Sequence, residues 1–294
     1  MQKHLIKFLA PFLILQFSGC GIENNPRMIN IDSHSLSMFS KGNGVPTIVI
    51  DGGIGDSYKE WMKIIDTLSL YTRVVAYDRA GYGKSEAGPF PRDCQQEVIE
   101  LNTMLERANV EKPYLLVGHS LGALNAQYYA YMFPASVTGI VLLDPPPLNW
   151  INGRVNFPNL DSLVSQQIQL YSSLAEQIRT SINPEDESKA IYFETLKSEH
   201  EAMFSSSAEQ IASIGSFSDL PITIIASGKP NPRFGDSAER FQKFWINENK
   251  SLSMKSTRGK LVLLEQSSHF IYHDYPGNVI SEIIEMLITL RNMK

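Results

Sequence analysis

Apolar residues along this 294-residue chain fall into two recurring patterns. Short, unalternating runs rich in Val, Ile and Leu occur at 47–50, 74–77, 114–117, 140–143, 222–226 and 261–264. Runs of this length without polar interruption predict strands buried on both faces. Between them, apolar residues return every three or four positions, the spacing of helices with one buried face. Strands alternating with helices predict an α/β protein, a mostly parallel sheet with helices on both faces. Ahead of the first run, residues 28–39 alternate apolar and polar positions (Met28, Ile29, Ile31, Leu36, Met38), which predicts a half-buried hairpin, and Gly42 and Gly44 turn the chain afterwards.

The rhythm breaks after Asp144. Pro145-Pro146-Pro147 stops any regular element, and a long helical pattern follows through Leu160, Val164, Ile168, Tyr171, Leu174 and Ile178. The strand rhythm resumes at Pro221. The chain therefore divides into a core of residues 28–144 and 221–294 and a helical cap insertion, 145–220, expected over the carboxyl end of the sheet. The acidic stretch from Glu185 to Glu201 reads as a solvated helix face and not as a cation site. A last amphipathic helix is expected over 279–290. There are no internal repeats and no low-complexity tracts.

Hydrophobic content of 43% and charged content of 19% are those of a globular chain. A net charge of -5 without a Lys/Arg stripe excludes a nucleic-acid footprint. Cys20 and Cys94 are too few for a metal cluster, so Cys94 reads as an unpaired thiol. Cys20 ends a different pattern. Lys3, His4 and Lys7 precede an apolar stretch over 8–17, and then comes Phe17-Ser18-Gly19-Cys20. That plan is a secretory signal over residues 1–19, and its apolar part falls short of the ~20 residues that span a bilayer. It resembles the lipobox of bacterial lipoproteins, with Phe17 where Leu is usual. The expectation is export, acylation at Cys20, a polar tether over 20–27 and attachment to the membrane through that lipid anchor. A plain cleaved signal or a short N-terminal anchor are the alternatives.

The chemistry concentrates at Gly118-His119-Ser120-Leu121-Gly122, directly after the run 114–117 and before a helix-compatible segment over 121–133. This is G-x-S-x-G between strand and helix, a turn that lifts a serine hydroxyl above the sheet and aims the next backbone N–H at a developing oxyanion. Ser120 is the candidate nucleophile and Leu121 supplies one oxyanion donor. Of the six histidines, His4 lies in the signal, His34 in the hairpin, His119 inside the motif and His200 in the insertion. His269 and His273 follow the last strand run, and His269, nearer its carboxyl end, is the candidate base. The loop Asp51-Gly52-Gly53-Ile54-Gly55-Asp56 leaves the run 47–50 at the same edge, and Ile54 N–H is the candidate second oxyanion donor. A phosphate cradle is excluded there because no G-K-[ST] follows. No cofactor or metal is implied.

Gly52-Gly53-Ile54-Gly55 with Trp61, then Tyr77-Asp78-Arg79-Ala80-Gly81-Tyr82-Gly83-Lys84-Ser85, the G-x-S-x-G turn, Ser268-His269-Phe270 and Asp274-Tyr275-Pro276 together resemble the α/β-hydrolase superfamily over residues 28–294. Gly52 departs from relatives that carry His there. The resemblance implies an eight-stranded sheet and a Ser-acid-His triad in that chain order, and serine at the elbow argues against the epoxide hydrolases and haloalkane dehalogenases that use Asp. The 78–85 block is expected to be a turn that shapes the sheet edge. The acid lies between Ser120 and His269. The usual place, after the run 222–226, reads Ser227-Gly228-Lys229-Pro230-Asn231-Pro232 and holds no carboxylate. Asp144, at the end of the preceding run, is the first candidate, and Asp236, which also suits a helix N-cap, is the alternative. The expected function is hydrolysis of a carboxylic ester or related acyl bond in a small-molecule substrate. A proline iminopeptidase-like peptidase, with Glu185, Asp186, Glu187 or Glu194 binding a free amine, and a non-catalytic binding protein on the same fold are the alternatives.

Overall fold

The computed structural model describes residues 25–180 and 186–293. The signal, Cys20, most of the tether and Glu185 lie outside the described residues. In chain order the strands are β1 (Arg27–Asn30), β2 (Ser35–Lys41), β3 (Thr47–Asp51), β4 (Val74–Tyr77), β5 (Tyr114–His119), β6 (Val137–Leu143), β7 (Ile222–Ser227) and β8 (Gly259–Leu264). They form one eight-stranded sheet in the order β1-β2-β4-β3-β5-β6-β7-β8. The β1/β2 and β2/β4 pairs are antiparallel and the others parallel, so the expected hairpin over 28–39 is present as the β1–β2 pair.

Successive residues of the buried strands feed opposite faces, as the period of two requires. Ile48 and Ile50 pack with α1 (Met62–Leu68) and with α10 (Pro276–Asn292), which contains the expected helix over 279–290. Val49 and Leu116 face the other way, toward α2 (Cys94–Arg107), α3 (Leu121–Met132) and α8 (Ala238–Ser253). Each fully buried aliphatic side chain stabilises by about 1.5–3 kcal/mol, so both faces are anchored by the strand runs themselves. α2 begins where it does because Asp93 accepts from Gln96 N–H at 2.9 Å, an N-cap. One strand departs from expectation. The run 261–264 is not buried on both faces: it lies in β8, an edge strand, and Leu263 is exposed.

Between β6 and β7 the chain inserts α4 (Leu148–Ile151), α5 (Pro158–Arg179), α6 (Glu187–Met203) and α7 (Ser206–Ala212). The apolar stripe expected from Leu160 to Ile178 falls on α5, with Leu160 buried and the rest half-buried. The acidic stretch is not wholly a solvated face. Glu199 of α6 is completely buried, because Arg79 and Tyr82 of the loop after β4 reach it. Cys94 is a buried free thiol, and burial pushes its pKa up.

Candidate active site

Strand order reverses beside β3: its successor β4 lies on one side and β5 on the other, with Asp51 aligned to Gly118. The crevice at the carboxyl ends of β3 and β5 is therefore a topological switch point, where open α/β sheets take ligands. The 118–122 turn is built there by steric need. A Cβ on Gly118 would strike the backbone of Gly122 and Ala123, and one on Gly122 would strike the carbonyls of Asp51 and Gly52. Ser120 sits between them at φ 52°, ψ −117°, a conformation that costs a non-glycine residue on the order of 1–3 kcal/mol. Its N–H is held by Leu143 O at 3.0 Å, which locks the strained turn to the end of β6.

The structure brings Asp144 and His269 together. Asp144 follows β6 with φ 48° and is 1% exposed. Its Oδ2 accepts from His269 Nδ1 at 2.7 Å and from Ser227 Oγ at 2.9 Å, and its Oδ1 accepts from Ser227 N and from Trp245 Nε1, each at 2.9 Å. A carboxylate only accepts, so Nδ1 carries a proton, and in the neutral tautomer this selects, Nε2 is the accepting nitrogen. Asp236 lies elsewhere, exposed in the short helical turn Pro232–Ser237, and its carboxylate makes no hydrogen bond or ion pair among the described residues. It is not the helix cap either: Ser237 holds the N-cap position of α8.

The loop after β3 is tied down on two sides. Asp56 Oδ2 accepts from Gly53 N at 2.8 Å and from the Tyr272 hydroxyl at 2.9 Å. On the other side Arg79 donates to Gly52 O at 2.6 Å and Gly53 O at 2.7 Å. The N–H groups of Ile54 and of Leu121, the first residue of α3, donate no hydrogen bond among the described residues. His119 is buried behind the turn, Nε2 donating to the carbonyl of His269 at 2.9 Å and Nδ1 3.6 Å from Asp56 Oδ2. Burial holds its pKa below the usual histidine range despite Asp56, so the ring is neutral at pH 7 and braces the His269 loop. His273 lies on α9 (Ile271–Asp274), 3.6 Å from Glu60. His34 lies 3.4 Å from Glu100, and His200 bonds Leu196 O within α6.

The model of the alpha/beta hydrolase fold family matches residues 46–268, most of the chain. The chain belongs to the α/β-hydrolase family. Among curated relatives, YqjL of Bacillus subtilis, an uncharacterized protein, is 27% identical over 237 residues, covering 80% of this chain and 81% of its own. An AB hydrolase superfamily protein of Gibberella zeae is 31% identical over 103 residues, 34% of this chain and 32% of that one. Beyond YqjL, the chain spans well under half the length of the next curated relatives it matches. A thermophilic esterase from Thermogutta terrifontis superposes with a TM-score of 0.62 at 15% identity, covering 90% of this chain and 99% of the other. A structure from Nitrososphaera gargenis, described with carboxylesterases, gives 0.66 at 17%, covering 91% and 100%. At such identities these two likenesses show the fold.

Three residues of this α/β hydrolase were not singled out by sequence. Ser227 stands where a carboxylate is usual, and both its N–H and its hydroxyl serve Asp144 instead. Trp245 reaches the same carboxylate from α8, 101 positions away. Arg79 belongs to the 78–85 block expected to be only an edge turn. It is 3% exposed and bonds the loop after β3 as well as Asp51 and Glu199. The intact Ser227-Gly228 after the strand was the one sequence signal available, since a hydroxyl and a close backbone there suit a carboxylate arriving from β6.

Proposed function

We propose that this protein is a serine hydrolase that cleaves a carboxylic ester or related acyl bond through an acyl-enzyme. The observation that carries the reading is the His269 Nδ1–Asp144 contact at 2.7 Å beside a strained Ser120 at the switch point. In this reading Ser120 Oγ attacks the acyl carbonyl and His269 Nε2 takes its proton. Asp144 keeps the imidazole in that tautomer and stabilises the imidazolium as it forms. Ile54 and Leu121 N–H groups receive the oxyanion, where one such donor supplies about 3 kcal/mol. The alkoxide leaves with the proton from His269. Water, deprotonated by the same nitrogen, then attacks the acyl-serine and releases the acid. The helices over 145–220 act as a cap that closes the carboxyl edge.

Glu185 lies outside the described residues, and the placement of the cap carboxylates among the described residues favours an ester over a peptide with a free amino terminus. Glu194 pairs with Arg179 at 2.8 Å and Asp186 with Lys189 at 2.8 Å, Glu187 is exposed, and Glu199 is saturated by Arg79 and Tyr82. Fluorophosphonate labelling together with p-nitrophenyl esters of graded chain length and aminoacyl p-nitroanilides tests this. The expected result is labelling that Ser120→Ala abolishes, with turnover of esters only. Labelling that survives Ser120→Ala removes the nucleophile assignment. Absence of labelling and turnover in the natural protein favours a binding role.

A further inference from the structure

We propose that Arg79 is a positioning residue that aims and polarises the oxyanion-binding N–H of Ile54, and that Glu199 ties this device to the inserted helices. The inference rests on the serine-hydrolase reading above.

A guanidinium has five N–H donors in a fixed plane. In Arg79 all five are engaged. Nε donates to Glu199 Oε1 at 3.0 Å, Nη1 to Asp51 Oδ1 and Gly52 O, both at 2.6 Å, and Nη2 to Gly53 O at 2.7 Å and Glu199 Oε2 at 3.3 Å. A purely structural ion pair would need only the carboxylates. Here two of the donors go to consecutive carbonyls of the loop after β3. The second carbonyl is the informative one. Gly53 C=O and Ile54 N–H are the two ends of a single planar trans peptide, so they point in opposite directions. Fixing the carbonyl on Arg79 fixes the direction of the N–H. The cation on the oxygen also draws density from the nitrogen, which makes that N–H a stronger donor, and burial keeps water from screening it. Ile54 N–H spends none of this on a hydrogen bond within the described residues.

The other end of the device lies in the insertion. Glu199 of α6 is fully buried, grips Arg79 at two nitrogens and accepts the Tyr82 hydroxyl at 2.6 Å. Burying a charge pair adds little stability compared with an apolar pair of the same shape, so placing one here points to a task of orientation. The inserted helices and the oxyanion loop thus share one rigid fork.

Lysine keeps the charge but offers three donors from one nitrogen, which cannot span two carbonyls and two carboxylates. The test compares the natural protein with Arg79→Lys in p-nitrophenyl butyrate turnover, inhibition by a trifluoromethyl ketone of matching acyl chain, and thermal melting. The expected result is a folded variant whose kcat falls on the order of 10²-fold while KM stays within about threefold. Ketone affinity should weaken by the same factor as kcat/KM, since the ketone adduct carries the oxyanion. Natural kcat and ketone affinity in the variant, or a loss confined to KM, overturn the positioning role and leave the hydrolase reading intact. A natural protein that neither turns over the ester nor labels with fluorophosphonate overturns the underlying reading. Should Arg79→Lys not fold, Glu199→Gln carries the test. It preserves packing and leaves Arg79 gripped from one side, so kcat drops with KM unchanged if the inference holds and stays natural if it does not.

Discussion

Asp144 is the residue on which the proposed chemistry turns. Four donors from three separate segments converge on its two oxygens: His269 Nδ1, Ser227 N, Ser227 Oγ and Trp245 Nε1. Such convergence leaves the carboxylate one orientation and the imidazole one tautomer. Asp144→Asn puts an amide in its place, and an amide nitrogen cannot accept from His269 Nδ1. The ring then turns to the tautomer whose Nε2 already bears a proton. The expected cost is on the order of 10⁴ in kcat, read with p-nitrophenyl esters on a variant whose melting temperature shows it folded. Asp236→Asn, on an exposed turn without partners, is expected to stay within about twofold of the natural enzyme. The reverse outcome would move the acid to Asp236.

At the scale of elements, the site depends on how closely α3 approaches β3. Gly122 makes that approach possible, because any Cβ would meet the Asp51 and Gly52 carbonyls, which are backbone and cannot swing aside. Gly122→Ala is therefore expected to cost about 1–3 kcal/mol or more, several degrees in melting temperature, and to disturb the loop carrying Ile54. Gly277, in the first turn of α10, offers the contrast, since nothing lies within 4 Å of a Cβ built there. Gly277→Ala is expected to be neutral or to stabilise by roughly 0.4–1 kcal/mol through the unfolded chain. Equal melting temperatures for the two variants would mean that the close packing of α3 on β3 is not what Gly122 serves.

Across the whole molecule, a buried polar network joins the sheet, α2 and the insertion. Asp51, Glu97, Glu100 and Glu199 share Arg79 and Arg92, and Asn125 links Glu97 to Asp51. Two carboxyls respond to pH in opposite senses. Burial would raise the Glu100 pKa, but its paired hydrogen bonds from Arg92 hold it at about 2. Its contribution to stability is present above the unfolded value of 4.5 and is lost as pH falls toward 2. Glu97 goes the other way: burial, with repulsion from Glu199, pushes its pKa well above the usual carboxylate range. The folded protein keeps a proton that the unfolded chain releases above about 4.5, so this group erodes stability as pH rises. Glu97→Gln mimics the protonated form. Its melting temperature relative to the natural protein is expected to improve progressively between pH 5 and pH 8. A difference that does not vary with pH, or that shrinks as pH rises, would show Glu97 to be ionised in the fold.

Contiguous residues by themselves determined much of this protein. The apolar runs marked six strands, because a strand's burial is written in its own side chains. G-x-S-x-G marked the turn carrying Ser120, because the steric demands on Gly118 and Gly122 arise within one strand-to-helix crossing. His269 could be placed at the carboxyl edge from its position after the last run. That run was read as doubly buried, whereas its position at the sheet edge leaves Leu263 exposed. Edge position is set by strand order, and no local pattern encodes it. Chain order narrowed the acid to Asp144 or Asp236, and only the fold showed which of them touches His269. Tertiary structure alone disclosed Ser227 and Trp245 around Asp144, and Arg79 with Glu199, partners 120 positions apart. Such pairs are brought together by the packing of distant elements, and their charges become partners only where burial removes water as the competing one.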